Sequence, residues 1–409
     1  MMKQQNNKKK KTWTRLRHKI ITAVLRYPVG WYCRLRYGLR YPRHRDLIDR
    51  QSLILLNHQT PFDQFFVGMS IRGPVYYMAS EDLFSNGWVS SLIRWLIAPI
   101  PIKKQTTDVT AVKNCIRVAR EGGTIAIAPE GNRTYSGKTE YMSPAIAPLA
   151  RKLNMPIALY RIEGGYGAQP RWSDGIRKGR MRSYVSRVIQ PEEYAVMTDA
   201  ELFACIEQEL FVDEGVADAT FRSNKRAEYL ERAIYVCPFC GLSRFESHGN
   251  EAECLTCHRK IAYGEDKQLT GVGFDFPFSF FTQWYDYQKE FINRLDVTQH
   301  TEQPLYTDAA NLSEVILNKN KMLLREGATL CLYGNRIVID EATDKELTLS
   351  FSEATAVTVL GRNKLNIYHG GKVYQFKGNK RFNALKYVHI YYRHKNISRG
   401  DSDVQFLGL

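Results

Sequence analysis

The sequence predicts an α/β fold: a mixed sheet with flanking helices, then a small cysteine-bearing module and a small, mostly-β C-terminal domain. Three observations carry this. Between residues 52 and 215, short branched-apolar runs alternate with helical stripes, the rhythm of strands and helices in layers. Two Cys-x2-Cys pairs follow, Cys237/Cys240 and Cys254/Cys257. From residue 312, strand-like runs separated by Gly- and Asn-containing turns repeat up to a closing helix. A chain of 409 residues with 44% apolar content can hold two or three domains. The expected division is a basic arm (1–50), the α/β domain (51–230), the cysteine module (231–264), an aromatic-rich segment and linker (265–311) and the β-rich domain (312–409).

The net charge of +16 is concentrated at the start: residues 1–50 hold fifteen Lys and Arg against Asp46 and Asp49, a balance of +13. Such an arm suits an anionic membrane surface or nucleic acid. Its pattern favours membrane. After the charge run Lys8–Lys11, Leu16, Ile20, Ile21, Val24 and Leu25 form a helical stripe, with Arg15, Arg17, His18, Lys19, Thr22 and Arg26 opposite. That is an interfacial amphipathic helix, unless the stripe packs on its own domain. No run approaches the ~20 apolar residues of a spanning helix. Arg26 interrupts the one candidate secretory core, and no small-residue cleavage site follows. The expectation is a peripheral protein on the cytoplasmic face of the membrane.

Within the α/β domain, residues 75–79, 100–102, 124–128, 156–162 and 180–186 read as strands. Residues 109–119, 146–153 and 199–211 read as helices, and Ser80 as a helix cap. Two strand-to-corner stretches carry chemistry. In the first, Leu53-Ile-Leu-Leu-Asn-His-Gln-Thr-Pro-Phe-Asp63, a buried strand ends at Asn57-His58, and Pro61 suits the start of a helix. The turn can fold the Asp63 carboxylate onto His58, fixing the imidazole tautomer and making the other nitrogen a better proton acceptor. In the second, Thr124-Ile-Ala-Ile-Ala-Pro-Glu-Gly-Asn-Arg-Thr134, Gly131 permits close backbone approach. Arg133 offers a planar five-donor fork for a phosphate monoester, and Glu130 can hold that guanidinium or a substrate hydroxyl. Taken singly, the first stretch also reads as a capped helix start with a hydrogen-bonded histidine, and the second as a turn with a surface ion pair. Between them, residues 83–102, with Phe84, Trp88, Val89, Leu92, Ile93, Trp95, Leu96 and Ile97, form either a buried helix or a lipid-facing lip.

Together and in this order, the two stretches resemble the glycerolipid acyltransferase family, of the 1-acyl-sn-glycerol-3-phosphate acyltransferase type. Asn57, His58 and Asp63 match its Asn-His-x4-Asp block; Ala128-Pro-Glu-Gly-Asn-Arg-Thr134 matches its Phe-Pro-Glu-Gly-Thr-Arg-Ser block; Met155-Pro-Ile-Ala-Leu159 matches its apolar block around a proline. The resemblance implies a mixed sheet with the active site at the strand ends. It also implies direct acyl transfer, with His58 and Asp63 as the catalytic pair and Asn57, Lys104, Glu130, Gly131 and Arg133 binding the acceptor. The acyl donor would be an acyl-CoA or acyl carrier protein thioester, the acceptor a lysophospholipid, and the product phosphatidic acid. Three positions depart from the pattern. Lys104 stands where an Arg is usual, Ser80 where a basic residue is usual, and Ser143-Pro144 where Lys-Gly is usual. These weaken the expectation for the acceptor more than for the chemistry.

Cys237, Cys240, Cys254 and Cys257 have the spacing of a zinc ribbon, in which four thiolates close one structural zinc site. Redox pairs are the competing reading. Cys33, Cys115, Cys205 and Cys331 are scattered, as buried reduced thiols are. Around the ribbon, Arg232, Arg244, Arg259 and Lys260 oppose Glu246, Glu251 and Glu253, so no nucleic acid is expected there. Strands are expected at 313–317, 329–332, 336–340, 346–351, 356–360, 365–369 and 372–376, then a helix at 381–393. That set is similar to a pleckstrin-homology-like barrel, a class of module that binds lipids or proteins. Two functional classes therefore stand: a membrane-surface acyltransferase, and a non-catalytic membrane or protein adaptor that keeps the fold. Intact His58, Asp63, Glu130 and Arg133 favour the enzyme.

Overall fold

The computed structural model describes residues 12–42, 50–84, 87–102, 108–316 and 321–400. The Lys8–Lys11 run, Lys103, Lys104 and Leu317 lie outside them. A helix, α1 (Leu16–Tyr37), opens the chain and leads through β1 (Leu39–Arg40) into the α/β domain. That domain comprises β2 (Leu53–Leu56), α2 (Asp63–Ser70), β3 (Val75–Ser80), α3 (Gly87–Ile97), β4 (Ile100–Ile102), α4 (Val109–Arg120), β5 (Thr124–Ile127), α5 (Ile146–Leu153), β6 (Ile157–Glu163), α6 (Gly165–Ala168), β7 (Met181–Ile189), α7 (Pro191–Ala195) and α8 (Asp199–Leu210). Its seven strands form one mixed sheet, in the order β1-β7-β6-β2-β5-β3-β4. β2 lies between β5 and β6 and runs parallel to both; β7 is antiparallel to β6. Because β2 and β5 are parallel neighbours, the two motif-bearing corners leave the sheet side by side at its carboxyl edge, where open α/β sheets hold ligands.

Both sheet faces are covered. Leu53, Leu55, Ile125, Ile127, Ile157 and Leu159 pack under α4, α5 and α8, while Ile54, Leu56, Ala126, Ala158 and Tyr160 pack against α2 and the inner side of α1. Local chemistry sets the helix ends. Asp108 caps α4 by accepting from the Thr110 and Ala111 backbone, and Thr198 with Glu201 forms a capping box on α8.

Helix α1 runs well beyond the expected stripe, continuing through Pro28 to Tyr37. Its buried residues are His18, Gly30, Cys33 and Tyr37, whereas Leu16, Ile20, Val24, Tyr27, Trp31 and Leu35, spaced three or four apart, face outward. α3 is not a buried helix: Ser90 is its one buried residue, and Trp88, Val89, Leu92 and Trp95 are exposed. The two helices adjoin, with Trp13 Nε1 donating to the Ala98 carbonyl (2.8 Å) and Arg17 Nε to the Trp95 carbonyl (3.0 Å). Ser80 is the last residue of β3 and stands directly before a short 3-10 helix, Glu81–Phe84.

After the α/β domain come the short strands β8 (Val236–Cys237), β9 (Gly241–Leu242), β10 (Phe245–His248), β11 (Glu251–Cys254), β12 (Lys260–Tyr263) and β13 (Leu269–Gly271), then α9 (Phe281–Arg294). The phenylalanines before α9 form no strand; Phe276 sits edge-on against Trp284 with ring centres 5.1 Å apart. A second seven-stranded sheet, wholly antiparallel, contains β14 (Tyr306–Glu314), β15 (Met322–Leu332), β16 (Arg336–Ile339), β17 (Leu347–Ser350), β18 (Ala356–Leu360), β19 (Lys364–His369) and β20 (Lys372–Gly378), in the order β17-β16-β15-β14-β20-β19-β18. Helix α10 (Leu385–Arg399) packs on it.

β14 begins at Tyr306, inside the expected linker, because residues 306–310 pair with β15. One continuous core also joins Tyr135, Tyr166 and Trp172 of the first domain to Trp284 and Tyr285 on α9 and to Leu330, Val357 and Tyr387 beyond. The cysteine module and the C-terminal sheet share that core with the α/β domain.

Candidate active site

The first corner is held from both sides. The Asn57 amide donates from Nδ2 to the Ile162 carbonyl (2.9 Å) and accepts the Ile162 N–H at Oδ1 (2.8 Å). Asn57, expected to touch substrate, pins the corner to β6 through both ends of its amide. Gln59, not singled out in the sequence, accepts the Gly165 and Tyr166 N–H groups at Oε1 (2.8 and 3.2 Å). Between these anchors His58 Nδ1 lies 2.7 Å from Asp63 Oδ2. Asp63 also accepts from the Gln59 N–H (2.7 Å), the Thr60 N–H (3.0 Å) and the Thr60 hydroxyl (2.6 Å). Its side chain is 1% exposed, against 26% for His58. With a carboxylate taking Nδ1–H, the imidazole lone pair lies on Nε2, the tautomer a general base requires.

The second corner is laced to the first. The His58 N–H donates to Glu130 Oε1 (2.7 Å), and the Thr134 N–H to the His58 carbonyl (3.0 Å). Glu130 Oε2 accepts the Glu140 N–H (3.2 Å). Glu130 was expected to hold Arg133 or a substrate hydroxyl; among the described residues it forms no ion pair with Arg133, because its oxygens receive backbone donors. Burial pushes the Glu130 carboxyl up to about 8, against the pull of those two donors. Gly131 has φ of +69°, and a Cβ there would meet nothing within 4 Å. Its need is therefore the left-handed backbone rather than space.

Arg133 lies beside this pair. Burial, and after it the Arg171 and Arg362 charges, push its guanidinium down to about 10, while the Asp63 charge acts in the opposite direction. Its Nη1 is buried without a hydrogen-bond partner among the described residues. The sequence reading missed its neighbours. Arg171, itself buried, donates from Nη1 to the Arg133 carbonyl (2.7 Å) and from Nη2 to the Val359 carbonyl (3.2 Å), and stacks 4.1 Å over the Tyr135 ring. Arg362, on the β18–β19 turn, pairs with Asp174 (3.2 Å). Gly361-Arg-Asn363 reads locally as a turn and nothing more, so only tertiary contacts reveal this link. Lys104, expected to assist with phosphate, lies outside the described residues.

Residues 39–161 match the family model described as Acyltransferase. This segment is an acyltransferase-family domain. A 1-acyl-sn-glycerol-3-phosphate acyltransferase of Bacillus subtilis is 22% identical over 178 residues, 43% of this chain and 86% of that protein. The chloroplastic 1-acyl-sn-glycerol-3-phosphate acyltransferase of Brassica napus is 21% identical over 155 residues, 37% of this chain and 44% of its own length. Among solved structures, the 1-acyl-sn-glycerophosphate acyltransferase PlsC of Thermotoga maritima aligns at 20% identity and a TM-score of 0.39, covering 47% of this chain and 76% of that one. Both paired corners lie inside the matched segment; Arg171 and Arg362 lie beyond it.

Away from the acyltransferase domain's corners, Cys237, Cys240, Cys254 and Cys257 bring their sulfurs within 4.8 Å of one another. Cys237–Cys257 and Cys240–Cys254 are 3.8 and 3.6 Å apart, too long for disulfides and close to the edge of a tetrahedral thiolate site. Gly241, with φ of +76°, makes the tight turn after the first pair. The cluster could hold a metal ion. Trp284 Nε1 donates to the Val236 carbonyl (2.9 Å), tying the first knuckle to the shared core.

Proposed function

We propose that this protein transfers a fatty acyl group from a thioester donor to the free hydroxyl of a lysophospholipid, with 1-acylglycerol-3-phosphate as acceptor and phosphatidic acid as product. The observation that carries this reading is the His58–Asp63 pair at 2.7 Å, at the end of a strand within an acyltransferase-family segment. The named activities of the two curated relatives support the choice of acceptor. His58 Nε2 takes the proton of the acceptor hydroxyl while its oxygen attacks the thioester carbonyl. Collapse of the tetrahedral species forms the ester and breaks the C–S bond, and the departing thiolate recovers the proton from the imidazolium. Asp63 stabilises that imidazolium, and Arg133 holds the acceptor phosphate so that the hydroxyl meets His58. The donor is an acyl-CoA or acyl carrier protein thioester.

Membrane docking through α1 and α3 belongs to the same reading. Their outward apolar stripe is one that water does not favour, and basic residues of α1 add roughly 1 kcal/mol each near anionic lipid. No helix among the described residues is long and apolar enough to cross a membrane, so the docking proposed is peripheral. The four-cysteine cluster is read as a structural zinc ribbon, since all four positions come from the chain. The C-terminal sheet and helix are read as a pleckstrin-homology-like module.

The test is a vesicle assay with purified protein, acyl-CoA and 1-acylglycerol-3-phosphate, run beside His58→Ala. Phosphatidic acid from wild type alone is the expected result. Turnover by the variant at wild-type rate would remove His58 as the base. No transfer to any lysophospholipid from either donor class would remove the enzymatic reading.

A further inference from the structure

Four guanidiniums gather where the acyltransferase domain meets the C-terminal sheet, and their partners do not balance them. Arg171 is buried, yet its hydrogen bonds go to two carbonyls, of Arg133 and Val359, and its Nε has no partner among the described residues. Arg133 has an Nη1 with no hydrogen-bond partner among the described residues. Arg232, 2% exposed, and Arg362, 31% exposed, share one carboxylate: Asp174 Oδ1 lies 2.7 Å from Arg232 Nη1 and 3.2 Å from Arg362 Nη1. Among the described residues Asp174 is the one carboxylate paired with any of the four. Glu140, the nearby acid of the second corner, is taken by Lys289 (3.2 Å). Partly desolvated like charges are costly unless an anion joins them. A phosphate monoester, with up to two charges and several acceptor oxygens, suits guanidinium forks.

We propose that the β18–β19 turn of the C-terminal sheet completes the acceptor site, with Arg362 joining Arg133 in gripping the phosphate monoester and Arg171 positioning both. The inference rests on the acyl-transfer reading for the identity of the ligand, though not for the existence of an anion site. It gives the accessory sheet a direct part in specificity: Arg171 links the Arg133 loop to Val359, so the turn's location and the acceptor pocket are fixed together. It also offsets the departures at Lys104, Ser80 and Ser143-Pro144, since the guanidinium fork that Lys104 lacks and the charge that Ser80 and Ser143 lack arrive from residues beyond the matched segment.

The experiment uses the full chain with two probes. Soluble glycerol 3-phosphate is titrated by calorimetry into wild type, Arg362→Gln and Arg362→Lys, with melting temperature recorded for each. The KM for 1-acylglycerol-3-phosphate is measured beside that for uncharged monoacylglycerol. Arg362→Gln should weaken glycerol 3-phosphate binding at least fivefold and raise the KM for the phosphorylated acceptor in proportion. It should leave kcat, the donor KM and the monoacylglycerol KM within twofold, and Arg362→Lys should recover part of the loss. Unchanged glycerol 3-phosphate binding in Arg362→Gln overturns the inference. So does a loss that follows the melting temperature and affects both acceptors alike, or wild type that does not bind the probe. Arg362-dependent binding in a protein that acylates no lysophospholipid would retain the anion site and reject acyl transfer.

Discussion

At the histidine corner, polar groups find partners close by: Asp63 collects donors from His58, Gln59 and Thr60, and Glu130 receives the His58 and Glu140 N–H groups. At the arginine cluster the opposite holds. Among the described residues Arg133 and Arg171 keep unpartnered buried nitrogens, and Arg171 and Arg362 bring in groups from across the chain. A satisfied network is rigid before substrate arrives, as suits a base that must keep one tautomer and one direction. A like-charged cluster gains its missing interactions when an anion binds, as suits recognition. On the proposed reading, chemistry is pre-organised locally, while specificity is assembled from distant segments.

The sharpest way to break that comparison is at the base. His58→Ala should lower kcat by about 10³-fold or more, the upper range for loss of a positioned general base, with vesicle binding unchanged. Asp63→Asn should cost about 10²-fold in kcat by unsettling the tautomer. It also turns an amide toward backbone donors, destabilising by roughly 1–3 kcal/mol. Stopped-quench rates and melting curves separate the two effects. A loss expressed in the acceptor KM instead of kcat would assign this corner to binding.

Next in size is metal removal. Stripping with a chelator, or Cys254→Ser, should release one zinc per chain by elemental analysis and destabilise by on the order of 3–5 kcal/mol. The cysteine module shares its core with the C-terminal sheet. Arg232, a few residues before Cys237, donates to the Trp172 carbonyl (2.8 Å) and pairs with Asp174. The stripped protein should therefore lose affinity for glycerol 3-phosphate before it loses the His58–Asp63 hydrogen bond, which the imidazole proton resonance reports. Simultaneous loss of both would merge the two regions into one.

Much of the histidine side was legible because its determinants are short-range. The β2 and β5 strands read from their apolar runs, α5 and β18 from their spacing, and the His58–Asp63 pair from five residues of sequence. The cysteine cluster read from two spacings. Long-range features did not. Asn57 and Glu130 look like free polar side chains until β6 and the facing corner claim them. α1 runs through Pro28, which local rules take as a stop. β14 reads as linker because its partner β15 lies beyond the next turn. Arg171 and Arg362 carry no local mark at all: only the packing of one sheet's turn against the other domain's loop brings them near Arg133.

A gentler probe of the comparison is pH. Between its ordinary 4.5 and about 8, Glu130 keeps a proton in the folded state that it loses on unfolding. The unfolded state then binds fewer protons, so stability falls as pH rises through that window and levels off above it. The change should be on the order of 4 kcal/mol in wild type, and Glu130→Gln should flatten it, although its amide meets a backbone donor and lowers stability throughout. Denaturant midpoints from pH 5 to 9 read this directly. A flat wild-type profile would mean that the His58 and Glu140 N–H groups keep the carboxylate ionised, making the corner more electrostatic than drawn here.

The smallest expected effect tests whether either region acts at a membrane. Trp31 is 69% exposed on the outward stripe of α1. On the same helix, Tyr32, the next residue, and Tyr37 both meet Phe62 at the histidine corner, with ring centres 5.7 and 5.4 Å apart. Trp31→Glu removes an interfacial aromatic and adds a charge that anionic lipid repels, so partitioning onto anionic vesicles should fall several-fold, by roughly 1–2 kcal/mol. Cosedimentation measures that, and acylation of a short-chain, water-soluble lysophosphatidate measures the rest. If the soluble substrate is turned over normally while vesicle substrate is not, α1 delivers the enzyme to its acceptor and the two corners work unaided. If both fall together, the Tyr32–Phe62–Tyr37 ring contacts transmit the state of α1 to His58, and the corner is less self-contained than its hydrogen bonds imply.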